Sequence, residues 1–285
     1  MISIVSSLTL AHLTIGSSPL DTIEAAAGAG FGAAGLRICG RRPGDAYEAS
    51  ILGAPDKVRE LKSRAAGLGV RLSNVSGYQF YPDVTLSQVE PVIAATAELG
   101  VPVIVANGFD PDETRFTELF GRYCELARQG GIRVALEFLP YSGVRNLEAA
   151  MRVIEGSSAE NAGVLIDALH LERSGGAPDD MRVVSPNRIV FAQLCDAPMW
   201  RGAKTDDALL REARGARLPA GAGTLPLFEF LDALPEKCEI EYEVARGDMA
   251  ARSPIDKALA AAEDATRFLT AYEEHRSATA AERSA

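Results

Sequence analysis

The chain has 285 residues, 47% of them apolar and 24% charged, and its 29 Lys and Arg stand against 39 Asp and Glu for a net charge of −10. That surplus of acid opposes a phosphate backbone, so a nucleic-acid partner is excluded on charge, and no uncharged apolar run approaches the roughly 18 residues that a membrane-spanning helix needs. Four cysteines (Cys39, Cys124, Cys195, Cys238) lie far apart with no CxxC pair, which reads as reduced thiols in a cytoplasmic protein.

Short β-rich apolar runs alternate with segments of helical period along the whole chain. The first run, ISIVSSLTL, has no Lys or Arg ahead of it, so it reads as a buried strand rather than a leader peptide. Ser18-Pro19 with Asp21 then sets a helix start: a capping hydroxyl, Pro at the first helical position and an acid in the first turn. Gly30 to Gly35 matches GxGxxG in form, but it leaves a helix and enters the strand AAGLRI, the reverse of a dinucleotide fingerprint. VRLSNVSGY, VPVIVANGF, IRVALEF, AGVLIDALHL, RIVFAQLCD and CEIEYEVA complete eight runs, which begin near residues 2, 33, 70, 102, 132, 163, 188 and 238. Between the third and fourth, TLSQVEPVIAATAELG repeats apolar residues at helical spacing. Ser253-Pro254 with Asp256 opens a last helix, and RSATAAERSA reads as a frayed tail, giving a catalytic barrel over 1–275 and a flexible segment over 276–285.

Runs that are apolar almost throughout are buried on both faces, as parallel strands covered by helices are. Eight such units predict a closed (β/α)₈ barrel in one domain rather than a doubly wound open sheet. In that fold the site lies at the C-terminal ends of the strands. Strand five ends in Glu137, strand six in Asp167 with His170 three residues on, strand seven in Gln193 and Asp196, and strand eight carries Glu239, Glu241 and Glu243. Alternation turns Glu137 inward with Ala135. Carboxylates converging at the mouth of a low-dielectric barrel repel one another, and a shared divalent cation is the simplest remedy. Alternation cannot rank the three glutamates of strand eight; position favours Glu243, with Glu241 in reserve. His170 reads as a substrate contact or a satisfied backbone partner, and His12, after strand one, as a weaker candidate on the same rim. Arg37, Arg41 and Arg42 after strand two hold a substrate anion or are simply solvated. Gly221-Ala222-Gly223 reads chiefly as a shaped loop, with an anion site as the alternative.

LEF with Glu137, LIDALH with Asp167 and His170, FAQLCDA with Gln193 and Asp196, EYEVARG with Glu243, and GARLPAGAGTLPL together resemble the xylose-isomerase-like TIM barrels, the sugar phosphate isomerase/epimerase superfamily. The resemblance implies an α/β protein with a single (β/α)₈ TIM barrel. It implies Glu137, Asp167, Gln193 and Glu243 as metal ligands, Glu137 and Glu243 as the catalytic acid/base pair, and His170 on a substrate oxygen. Gln193 departs from the His usual in sugar epimerases of the family and matches its 3-dehydroshikimate dehydratases. The resulting all-oxygen ligand set suits Mn²⁺ or Mg²⁺ better than Zn²⁺. The superfamily's DNA-repair endonuclease is rejected on histidine supply, since this chain has three. The implied activity is isomerisation or epimerisation of a small carbohydrate or polyol-derived substrate through an enediolate. A dehydratase acting on a keto-cyclitol, keto-glycoside or dehydroshikimate-like substrate, and a non-catalytic ligand-binding barrel, are the alternatives; a homo-oligomer is compatible with all three.

Overall fold

The structure, a computed structural model, describes residues 4–284. Eight parallel strands close into a barrel in chain order: β1 (Thr9–Leu10), β2 (Ala33–Arg37), β3 (Arg71–Phe80), β4 (Val103–Gly108), β5 (Arg133–Glu137), β6 (Ala162–Asp167), β7 (Ile189–Leu194) and β8 (Glu239–Tyr242). The ring is sealed by β1, where Thr9 pairs with Ala33 on one side and with Glu241 on the other. Helices follow as α1 (His12–Ile15), α2 (Pro19–Ala29), α3 (Pro55–Leu68), α4 (Leu86–Leu99), α5 (Glu113–Gln129), α6 (Leu147–Gly156), α7 (Ala168–Arg173), α8 (Pro178–Met181), α9 (Asp206–Gly215), α10 (Leu227–Ala233) and α11 (Pro254–Ser284).

Local chemistry sets the boundaries. Ser18 and Asp21 cap α2 reciprocally, with Pro19 opening the helix, and Ser253 Oγ accepts from the Asp256 amide at the start of α11. The last helix continues as α11 through the segment expected to fray, its side chains from Glu273 to Glu282 mostly exposed. The first expected strand shortens. Ile4–Ser7 is a 3₁₀ turn in which Ser7 Oγ donates to the Ile4 carbonyl, and extended pairing begins only at Thr9. The residues before Ile4 lie outside the described ones.

Large apolar side chains between sheet and helices form the main core, and a second cluster of Val105, Ala135, Leu165 and Phe191 fills one half of the barrel interior. The other half is polar. Glu239 accepts from Thr9 and Ser73 and pairs with Arg71 at 3.0 Å; although burial opposes it, these partners keep its carboxyl below the usual range.

Candidate active site

Above this half-polar interior, a cavity opens at the C-terminal ends of the strands, and Glu137, His170, Gln193, Glu243 and Arg217 line it. Glu137 ends β5 and Asp167 ends β6, so both stand where the ladder stops and the chain turns toward the mouth. Asp167 is also the N-cap of α7: its Oδ1 accepts from the His170 amide at 3.0 Å, which explains the three-residue spacing. Glu137 is anchored through Oε2 by the Asn107 amide at 2.7 Å, leaving Oε1 3.8 Å from His170 Nε2. Carboxylate and imidazole atoms of Glu137, Asp167 and His170 lie within 4.8 Å of one another.

The strand-eight glutamates separate by depth. Glu243 lines the cavity, whereas Glu241 sits one layer lower, its Oε1 taking an amide bond from Asn74 at 2.8 Å. A Cβ at position 35 would lie 1.9 Å from that oxygen, so only glycine on β2 leaves room for the Glu241 carboxylate. The Gln193 Nε2 group donates to Glu241 at 2.7 Å and to Glu243 at 3.1 Å, which leaves its buried Oε1 without a partner. Two carboxylates on one side require the donor end of the amide there, so the carbonyl end must face the other way.

Arg217, in the segment before α10, was not singled out from the sequence. It is almost fully buried and bridges Asp167 at 2.5 Å and Glu243 at 2.9 Å while its Nε donates to the Ala213 carbonyl. A lone Arg between a helix end and a Pro-Gly loop carries no pattern, whereas Asn107, a polar residue ending an apolar strand, follows the same rule that found Glu137. Burial opposes ionisation of Asp167, yet Arg217 and His170 hold its carboxyl below the usual range. One guanidinium does not balance the remaining acids. Burial and the Glu243 and Asp167 charges push Glu137 up to about 8, and burial with Glu243 pushes Glu241 up to about 8. Glu243 rises to about 7 through burial, despite Arg217. His170 is lowered to about 4, mainly by burial, so its imidazole is neutral, and its Nδ1 is buried without a partner. Surplus buried negative charge together with the unpartnered carbonyl oxygen of Gln193 is a donor set that a divalent cation fits.

The remaining glycine, histidine and arginine candidates divide between the loops and the cavity, and aromatic side chains near the strand ends pack in the core and loops. Gly221 and Gly223 donate their amides to the buried Asp196 rather than to an external anion, at 3.0 and 2.9 Å. Phe80 packs edge-on against Tyr123, Tyr78 is buried in the core, and Trp200 lies over the Arg173 guanidinium. Phe109 stacks on Tyr81 and His275 on Phe228. Arg42 is drawn off by Asp83, but His12, Arg37 and Arg41 do line the cavity.

The family model described as xylose isomerase-like TIM barrel matches residues 23–271. Inosose isomerase of Halalkalibacterium halodurans is 23% identical over 163 residues, 53% of this chain and 55% of that protein, so the alignment spans about half the length of the curated relative. Among solved structures, a xylose isomerase-like TIM barrel/4-hydroxyphenylpyruvate dioxygenase fusion protein superposes with a TM-score of 0.73 at 19% identity, covering 94% of this chain and 44% of that one. The IolI protein, solved with a zinc atom, superposes with a TM-score of 0.77 at 15% identity, covering 93% and 98%. At these identities the superpositions speak for the fold.

Proposed function

Because the chain belongs to the xylose isomerase-like TIM barrel family, we propose that it is a divalent-metal-dependent isomerase or epimerase of a small carbohydrate or polyol-derived carbonyl compound, working through an enediolate. The observation that carries this reading is the pair Glu137 and Glu243. Both face one cavity, from β5 and from just beyond β8, and in the metal-free protein burial raises both carboxyl groups, to about 8 and about 7. Two carboxyl groups that face one bound molecule from different strands can divide the removal and the return of a proton between them. The likeness to an inosose isomerase supports the reaction class.

Glu137, Asp167, Gln193 and Glu243 would hold the ion, an oxygen set that suits Mn²⁺ or Mg²⁺, and it would supply Lewis-acid polarisation of the substrate carbonyl. Asn107 fixes one oxygen of Glu137, so the other is free to take the proton from the carbon beside the carbonyl. Glu243 faces the same cavity and returns a proton; delivery to the neighbouring carbon gives the isomer, and delivery to the opposite face gives the epimer. His170, neutral and against Glu137, offers a ring nitrogen to a substrate oxygen.

Proton NMR in D₂O on ketoses and inososes, with Mg²⁺- or Mn²⁺-loaded and chelated protein, tests the reading. Metal-dependent deuterium uptake beside the carbonyl with a new isomer is expected. Metal-dependent loss of water to an unsaturated product would reassign the site to a carbon–oxygen lyase. Absence of exchange and turnover with metal bound would leave a ligand-binding barrel.

A further inference from the structure

The cavity carries more guanidinium groups than the acid–base chemistry uses. Besides Arg217, it is lined by Arg37 at the end of β2, Arg41 in the loop that follows, and Arg214 in the last turn of α9. Among the described residues none of these three forms an ion pair, whereas Arg42, Arg115, Arg173 and Arg217 all do.

Arg37 is half-buried, and its one good hydrogen bond is spent on a neutral group: Nε donates to His12 Nε2 at 3.2 Å. Burial, followed by the charges of Arg37 and Arg41, holds His12 well below the usual imidazole range, so the ring takes a proton bond without cancelling any charge. Arg41 has no side-chain partner among the described residues; burial and the charges of Arg37 and Arg214 push it down to about 10. Three cations therefore crowd one wall of a cavity whose opposite floor, on β5 to β8, is acidic. Arg37 and Arg41 are half-buried and Arg214 is exposed. The first two feel the Glu243 charge across the cavity, but none of the three has a carboxylate within ion-pair distance among the described residues, and like charges held so close together are costly. A guanidinium has donors only, arranged in a fork that matches a carboxylate or phosphate and is poorly matched to a neutral sugar hydroxyl alone.

We propose that Arg37, Arg41 and Arg214 form an oxyanion subsite, so that the molecule this cavity takes is a small carbonyl compound bearing a carboxylate or a phosphate rather than a neutral sugar. Calling that molecule a substrate rests on the isomerase reading; the anion subsite itself stands on the arginines. The lining of the same cavity runs from this wall to Glu137.

Isothermal titration of inorganic phosphate, and separately of malonate, into the full-length Mg²⁺-loaded protein tests the subsite. The same titrations are run on Arg41→Gln, Arg37→Gln and Arg214→Gln. Saturable binding is expected, weakened about tenfold in each variant, as the loss of one charge-assisted contact implies. The anion bound more tightly by the wild type identifies phosphate or carboxylate. Arg214 is exposed on α9, so its variant keeps the test open even where Arg37→Gln fails to fold. No binding of either anion, or equal binding by wild type and all folded variants, overturns the proposal. The D₂O exchange assay separates this from the reading beneath it. Exchange on neutral sugars alone, unchanged in the arginine variants, would remove the anion subsite and keep the isomerase. Arginine-dependent anion binding without exchange on any acidic or phosphorylated carbonyl compound would keep the subsite and remove the isomerase.

Discussion

Arg217 Nη1 lies 2.5 Å from Asp167 Oδ2, and the same guanidinium reaches Glu243 at 2.9 Å, so one buried cation ties the end of β6 to the chain just beyond β8. Its Nε bond to Ala213 fixes the fork in place. Removing it leaves two buried carboxylates facing each other with no positive charge between them. Arg217→Ala is expected to destabilise the metal-free protein by about 3–5 kcal/mol, the usual result of breaking a buried pair from one side. Added Mg²⁺ should restore part of that loss, because the ion supplies the missing charge. Thermal unfolding with and without Mg²⁺ measures both effects; an Arg217→Ala melting curve matching the wild type without metal would show the pair to be incidental.

Glu137→Gln and Glu243→Gln keep the shape of the side chain and remove its proton chemistry. Each is expected to lower kcat by about 10²–10⁴, the range of general acid–base contributions, with unchanged circular dichroism. In the metal-free protein burial raises both groups, to about 8 and about 7, so an uncharged amide suits the buried position. Full turnover in either variant would take that carboxylate out of the reaction.

The raised carboxyl groups also set a pH dependence. Glu137 and Glu241 ordinarily titrate at 4.5 and are pushed to about 8 in the fold, first by burial and then by the Glu243 charge. The folded chain therefore holds protons that the unfolded chain has released between these values. The stability they contribute is complete below about 4.5 and is lost as pH rises to about 8. For metal-free protein the unfolding midpoint should carry this downward component, and Glu241→Gln should remove its share. A divalent ion held by Glu137 and Glu243 needs their deprotonated forms, so binding releases protons and tightens as pH rises toward about 8. Calorimetry in two buffers of different ionisation enthalpy reads the proton count; zero release near neutral pH would contradict the raised values.

Strand periodicity and capping residues were enough to read the barrel, because burial on both faces and helix starts are local in sequence. The ligand-bearing strand ends were legible for the same reason: Glu137 and Asp167 each close an apolar run. What escaped was long-range complementarity. Arg217 finds Asp167 across 50 residues, and Glu241 finds Asn74 across 167; neither pairing has a periodic trace. The opening run illustrates a different limit. Its apolar pattern suits a strand, but the Ser7 hydroxyl satisfies the backbone locally, and only Thr9–Leu10 joins the ladder.

Asp196 shows how a residue at a strand end can shape a site without touching what binds there. Its two oxygens accept from the amides of Ala197 at 2.8 Å, Gly221 at 3.0 Å, Gly223 at 2.9 Å and Leu225 at 3.0 Å, so one buried carboxylate organises the turn that follows Arg217. A Cβ at position 223 would sit 2.2 Å from the Ala197 carbonyl, which is why this approach requires glycine. Asp196→Ala leaves buried amides without acceptors, at about 1–3 kcal/mol each where water cannot reach them. Two consequences are expected together. Amide hydrogen exchange should accelerate across residues 218–225, and metal affinity should fall, because Arg217 loses the fixed turn that aligns it with Asp167 and Glu243. Gly223→Ala should produce the same pair of effects by crowding the turn. Faster exchange with unchanged metal affinity would confine Asp196 to the loop and separate it from the site.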